Sequence, residues 1–258
     1  MGDISYRPLI EDFVWSYSRV SSFDDCPYKW FMKYISGDSE QPTFYASYGS
    51  FIHSLIERYY SGELKREELP MAFLLGFSAG VRGERPSDKI VRNYIAAGKR
   101  YFDTFSGLPL EKVSVEDELR FDVDGIPFVA FTDFIGRKDG ALAIVDHKSR
   151  DLKPRSRRRV PTVNDRELDE MLRQLYLYAH GVFQKYGELP KQLCFNCFRT
   201  GRLIWEPFDK KTYMLTLDWI KRQIETISEE ETFCPCMDFF RCRYLCGLHD
   251  KCCYYLGG

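Results

Sequence analysis

At 258 residues and 30.4 kDa the chain is long enough to bury a core without disulfides, a length that excludes little else, and 44% hydrophobic with 29% charged residues is the ordinary balance of a soluble globular protein. A net charge of −1 excludes a partner chosen by global charge, so any surface for a polyanion must come from local segregation of Lys and Arg. No apolar run would span a bilayer and the amino terminus lacks the basic-then-apolar order of a signal peptide, which points to a cytoplasmic protein with no membrane contact.

In chain order, WSYSRVSSFDDCPYKWFMKYI places serines ahead of apolar positions at helical spacing, with Pro27 suited to the first turn of a second helix. Cys26 then sits at a helix amino terminus, where thiolate is favoured. Taken alone, such a cysteine is more commonly a small buried hydrophobe. Residues 46–61 form an amphipathic helix closed by Gly62, with Phe51 or Ile52, Leu55, Ile56, Tyr59 and Tyr60 on its apolar side. Gly49, His53 and Glu57 recur every four residues on another stripe. Two more helices are expected over 66–81 and 87–105, as a wall or lid without evident chemistry.

VSVEDELRFDV alternates strictly, with Val113, Val115, Leu119, Phe121 and Val123 on one face and Glu116, Glu118 and Arg120 on the other. The acidic residues read as a solvated face from which one carboxylate could reach a metal. Asp124-Gly125 turns the chain into FVAFTDFIG, and Lys138-Asp139-Gly140 turns it again into ALAIVDHK, both apolar runs bounded by turn residues. Asp146 and Lys148 share one face of the last strand and His147 points to the other. A register that sets Asp133 beside Asp146 is easy to build. Buried carboxylates cost several kcal/mol unless compensated. From the hairpin alone, a divalent metal with oxygen ligands and a structural Asp-Lys ion pair explain the residues equally well.

SRDLKPRSRRRV follows, and Lys153, Arg155, Arg157, Arg158 and Arg159 directly after a candidate metal site suit contacts to a phosphate backbone. The helix 165–186, ended by Gly187, carries Gln174 and Tyr178 one turn apart, with Met171, Leu172, Leu175, Ala179 and Phe183 toward the core. A strand, a turn at Thr200-Gly201, a second strand and a helix over 210–227 complete the regular elements, and Cys194 and Cys197 read as strand core. Nine cysteines, an odd number, argue against a disulfide framework. Six of them fall between Cys234 and Cys253, and in a reducing compartment such a cluster reads first as thiolate ligands.

This order of elements resembles the PD-(D/E)xK nuclease superfamily over most of the chain, in particular the RecB-type branch of AddB-like and CRISPR-associated iron-sulfur exonucleases. GSFIH matches the helical histidine motif at His53, FTDFIG the first-aspartate motif at Asp133, IVDHKS the Asp-x-Lys motif at Asp146 and Lys148, and QLYLY the Gln-x-x-x-Tyr motif at Gln174 and Tyr178. Each match alone is unspecific; four in the right order are not. The resemblance implies an α/β fold, a mixed central sheet flanked by helices, with an N-terminal helical region (1–110), a catalytic part (111–228) and a Cys-rich tail (229–258) within one nuclease domain.

It implies Asp133 and Asp146 as ligands of one or two Mg2+ or Mn2+ ions, the carbonyl of His147 as a further ligand, His53 as a ligand or positioning group, Lys148 as the catalytic ammonium, and Gln174 and Tyr178 against the DNA backbone. It also implies a [4Fe-4S] cluster, for which Cys26 in SSFDDCPYKWF and Cys242, Cys246 and Cys252 in CRYLCGLHDKC are the expected ligands, with Cys234, Cys236 and Cys253 in reserve. Four thiolates suit zinc as well, and thiolate chemistry alone leaves the two open. Early and late segments show no other evident bond. The function implied is a metal-dependent deoxyribonuclease, an exonuclease on DNA ends or single strands in repair, recombination or CRISPR adaptation, with a helicase or a recombination or CRISPR protein as partner. The competing functions are a non-catalytic nucleic-acid-binding or assembly subunit, and a structural metal protein whose acidic pair is an ion-pair network.

Overall fold

Two Asp-Gly turns set the sheet. In a computed structural model that describes residues 5–255, Asp124 (φ 50°), Gly125 (φ 84°), Asp139 (φ 52°) and Gly140 (φ 81°) all take positive φ, the turn geometry whose twist matches flanking strands. They join β1 (Glu111–Val123), β2 (Ile126–Lys138) and β3 (Ala141–Lys148) into an antiparallel meander. Ahead of it run α1 (Arg7–Ile10), α2 (Tyr17–Asp25), α3 (Pro27–Tyr34), α4 (Phe44–Tyr60), α5 (Leu69–Gly80) and α6 (Asp88–Thr104). After it, α7 (Val163–Tyr186) crosses over to β4 (Gln192–Cys197), which pairs parallel with β3; β5 (Arg202–Pro207) and α8 (Lys210–Glu229) follow. The five strands lie in sequence order, so the sheet is mixed and flanked by helices, with the N-terminal helices and Cys-rich C-terminal segment that the sequence led us to expect.

The strand pleat divides the core. Ile144 belongs to the core that includes Leu168, Leu172 and Leu175 of α7 and Ile220 and Ile224 of α8, while its neighbour Val145 packs with Phe134, Cys194 and Tyr60 on the opposite face. There α4, α5 and α6 build a second core around Tyr48, Ile52, Leu55, Phe73 and Phe102. Cys194 and Cys197 are buried strand residues, as expected.

Four details depart from the sequence reading. The expected helix over 66–81 begins with a separate tight turn at Arg66–Glu68, because Pro70 lies in the first turn of α5. Val113 is 37% exposed, since the β1–β2 register shifts between Lys112 and Ser114 and takes it out of the buried alternation. Phe183 is 44% exposed, since at this turn of α7 it is Val182, fully buried, and Tyr186 that pack against the core. Finally, the two ends of the chain hold each other through direct contacts. Phe233 packs among Tyr6, Phe23, Trp30 and Phe31, Arg241 pairs with Asp25 at 2.7 Å, and Gln41 donates its backbone N–H to Gly247 at 2.7 Å. These bonds join residues about 200 apart, which no local pattern reports. Residues 1–4 and 256–258, at the ends of the expected domain, lie outside the described residues.

Candidate active site

The register of β2 and β3 builds the acidic pair. Phe134 stands opposite Val145 and Ile135 opposite Ile144, so one step further Asp133 falls opposite Asp146 with both side chains on one face. The His147 backbone N–H donates to Asp133 Oδ2 at 2.5 Å. Burial, and then the Asp146 charge, push the Asp133 carboxyl up to about 7 against the pull of His53 and that N–H. Lys148 Nζ lies 2.8 Å from Asp146 Oδ2 and donates to Gln174 Oε1 at 2.8 Å; Gln174 Nε2 in turn donates to Tyr178 Oη at 2.7 Å. The i,i+4 spacing on α7 lets the glutamine bridge phenol and ammonium. Burial, helped by Asp146, raises the Tyr178 phenol, so it is a neutral hydroxyl.

His53 reaches this pair from α4. Its Nε2 is 2.9 Å from the His147 carbonyl oxygen and its Nδ1 is 3.5 Å from Asp133 Oδ1. A carbonyl only accepts, so Nε2 carries the proton of that bond, and in the neutral ring Nδ1 presents a lone pair toward Asp133. The His147 ring turns to the opposite face, as the alternation requires. There its Nδ1 meets Asn196 Nδ2 at 2.9 Å, and burial holds the ring neutral.

Glu116 joins the site. Ligand atoms of His53, Glu116 and Asp133 all lie within 4.8 Å of one another. Val115 pairs with Phe134 and Asp117 with Thr132, which sets Glu116 opposite Asp133, and Glu116 itself takes a φ of 48° within the strand. Burial raises its carboxyl from the ordinary range, with Glu57 and Asp146 adding to the rise. The sequence reading put Glu116 and Glu118 on a solvated face from which one carboxylate could reach a metal; the signal it lacked was the β1–β2 register that sets Glu116 opposite Asp133.

These donors fit a divalent cation. Asp146 Oδ2 is buried and has no hydrogen-bond partner among the described residues: its 2.8 Å contact with Lys148 is a charge pair without hydrogen-bond alignment. Two carboxylates sharing a buried site repel each other, and a hard cation among oxygen ligands relieves both the repulsion and the orphaned oxygen.

The basic segment divides. Arg155 is held by Glu206 and Asp169, each at 2.7 Å, and Lys153 by Asp151 at 2.5 Å. Arg157, Arg158 and Arg159 are exposed, with no ion-pair partner among the described residues. Asp165 fixes both sides of them, accepting from Ser156 N (2.6 Å) and Oγ (2.7 Å) and from Thr162 N (2.6 Å) and Oγ1 (2.7 Å), and these bonds hold its carboxyl far below the usual range.

The thiols gather elsewhere. Cys26 caps α3, where its Sγ accepts from Lys29 N at 3.3 Å and from Cys236 N at 3.2 Å, donors suited to a thiolate. Cys26, Cys236, Cys242 and Cys246 line one cleft of about 450 Å³, and Cys252 lies with Cys236 and Cys242 in the next. Burial and the neighbouring sulfurs raise both Cys242 and Cys246, the signature of thiols that would gain from a cationic centre. Three of the four expected ligands thus border one cleft together with Cys236, which the spacing argument held in reserve, while Cys252 lies in the neighbouring cleft. Cys253 is exposed and bonded to Tyr28 Oη at 3.3 Å, and Cys234 is exposed.

The model of the PD-(D/E)XK nuclease superfamily matches residues 14–253. The crystal structure of a protein from Eubacterium rectale described as "Putative exonuclease" is 15% identical, with a TM-score of 0.49 over 91% of this chain and 88% of that one. No curated protein matches the chain.

Proposed function

Because the chain belongs to the PD-(D/E)XK nuclease superfamily, we propose that it is a metal-dependent deoxyribonuclease of the RecB-type branch, an exonuclease acting on DNA ends or single strands. The observation that supports this most directly is the buried Asp133–Asp146 pair with Lys148 at 2.8 Å and an unpartnered Asp146 Oδ2. A protein freed from cleavage has no physical need to keep this combination desolvated.

Mg2+ or Mn2+ would be held by Asp133 and Asp146, with His53, Glu116 and the His147 carbonyl in reach, and when bound supplies Lewis-acid neutralisation of the scissile phosphate. Lys148, fixed between Asp146 and Gln174, holds the attacking water in line and offsets charge on the phosphate. Gln174 and Tyr178 orient that ammonium and offer neutral polar groups to the DNA backbone. Arg157, Arg158 and Arg159 bind phosphates further along the strand.

In the same proposal Cys26, Cys242, Cys246 and Cys252 would hold a [4Fe-4S] cluster that crosslinks the first helices to the tail, with Cys236 as a fifth thiol lining the same clefts and zinc as the competing metal. Unwinding falls to a helicase or a recombination or CRISPR partner. Labelled single- and double-stranded DNA incubated with Mg2+, with Mn2+ and with chelator tests the reading. Chelator-sensitive degradation that is lost in Asp146→Ala is expected, and degradation that persists in chelator overturns it.

A further inference from the structure

Among the described residues, the edge of β2 is open where it passes the acidic pair. On the side toward β3 its pairing begins at Phe134, and on the same side toward the turn it is closed by Trp15, whose N–H donates to Pro127 and whose carbonyl accepts from Val129. Between them a cleft of about 530 Å³ is lined by Ser16, Tyr17, Phe131, Lys148, Gln174 and Tyr178. Phe131, two residues before Asp133, is 54% exposed there and makes no aromatic pair among the described residues.

A singly exposed phenyl ring needs no explanation in itself. This one shares its cleft with the proposed catalytic ammonium and the two α7 side chains bonded to it. The residue opposite it on β1, Glu118, is paired with Arg120 at 2.6 Å, so the strand face beside the ring is not a bare negative surface. The hydroxyls of Ser16 and Tyr17 add neutral polar groups at the other wall, and the volume falls in the range of small-ligand sites.

We propose that Phe131 is a stacking platform for an unpaired base of the nucleotide next to the scissile phosphate, so that the cleft selects a strand whose bases are not paired. The inference rests on the nuclease reading of the same site and names its substrate class. A paired base is covered by its stacked neighbours and cannot give its face to the ring, whereas every unpaired base has a face to offer.

The test is a binding cycle with Ca2+ in place of Mg2+ to suppress cleavage. A single-stranded oligothymidylate and the same backbone with abasic residues are each titrated against wild type, Phe131→Ala and Phe131→Trp. Stacking of one base predicts that Phe131→Ala weakens the oligothymidylate by about fivefold or more and the abasic strand by much less, while Phe131→Trp keeps the wild-type preference. Because the ring is exposed, all three proteins should melt alike. Equal losses on both strands, or no loss on either, overturn the stacking site. If wild type nevertheless degrades DNA with Mg2+ or Mn2+, the nuclease reading survives that result; if it degrades neither strand, both fall.

Discussion

Asp133 should couple metal binding to protons. Its carboxyl is pushed up to about 7 by burial and by Asp146, above the value of about 3.9 in an unfolded chain. A raised carboxyl binds its proton more tightly folded than unfolded, so in the metal-free protein this group favours folding at low pH. Its contribution is lost as the pH rises from about 4 to about 7, on the order of 4 kcal/mol in all. A ligand must be ionised, so cation binding expels that proton, and between pH 7.5 and 5.5 the affinity should fall roughly 25-fold. Isothermal titration with Mn2+ in two buffers of different ionisation heat measures both the affinity and the protons released. Asp133→Asn isolates the group, since the amide oxygen can keep the His147 N–H bond without the charge. The metal-free variant should melt higher than wild type above pH 7, bind no catalytic metal and cleave nothing. An affinity that is flat over this pH range, or a titration that releases no protons, would refute the reasoning.

Changing Asp146 or Lys148 to Ala should remove metal-dependent cleavage with the fold intact, Lys148→Ala by about 10²- to 10⁴-fold in rate; cleavage close to wild type in both variants contradicts the assigned roles. Glu116→Gln should weaken Mn2+ binding measured by titration, because Glu116 stands within ligand distance of His53 and Asp133; an unchanged affinity returns Glu116 to a purely surface role. Protein purified without oxygen should be brown, and Cys26→Ser or Cys246→Ser should lose the visible absorbance and melt lower, while comparing Cys236→Ser with Cys252→Ser identifies the fourth ligand. A colourless, fully active preparation with stoichiometric zinc would replace the cluster but keep the crosslink. Asp165→Ala should free the segment that carries Arg157, Arg158 and Arg159, raising KM for DNA with little change in kcat; an unchanged KM removes that segment from the DNA path.

What the sequence disclosed was local. Asp-Gly at both turns fixes two hairpins, apolar alternation finds the strands, and Pro27 after Cys26 places a thiol on a helix start. Spacing along α7 and β3 also told which side chains share a face, hence Gln174 with Tyr178 and Asp146 with Lys148. It could not tell which faces meet. Glu116, Glu118 and Arg120 alternate as a solvated face, yet across β2 the same face carries Asp133 at one end and exposed Phe131 beside it. One face thus passes from solvent to site within a few residues, and only the register reveals where. The tail fails the reading for a similar reason: the partners of Phe233 and Gly247 lie at the other end of the chain.

The topology explains why the proposed chemistry collects at one end of β3. The hairpin brings Asp133 beside Asp146 because antiparallel neighbours face each other, but a hairpin cannot bring anything over its own face. The crossover to parallel β4 does that: the chain must return along the sheet, and α7, as the return, lays Gln174 and Tyr178 over Lys148. β4 also carries Asn196, which holds the His147 ring from the far face, so that the His147 N–H and carbonyl stay aimed at Asp133 and His53. Replacing Asn196 with Leu should therefore disturb the metal-site residues without touching them, lowering Mn2+ affinity as well as stability. A destabilised variant that binds Mn2+ as wild type does would show that the His147 backbone is held by the strand pairing alone.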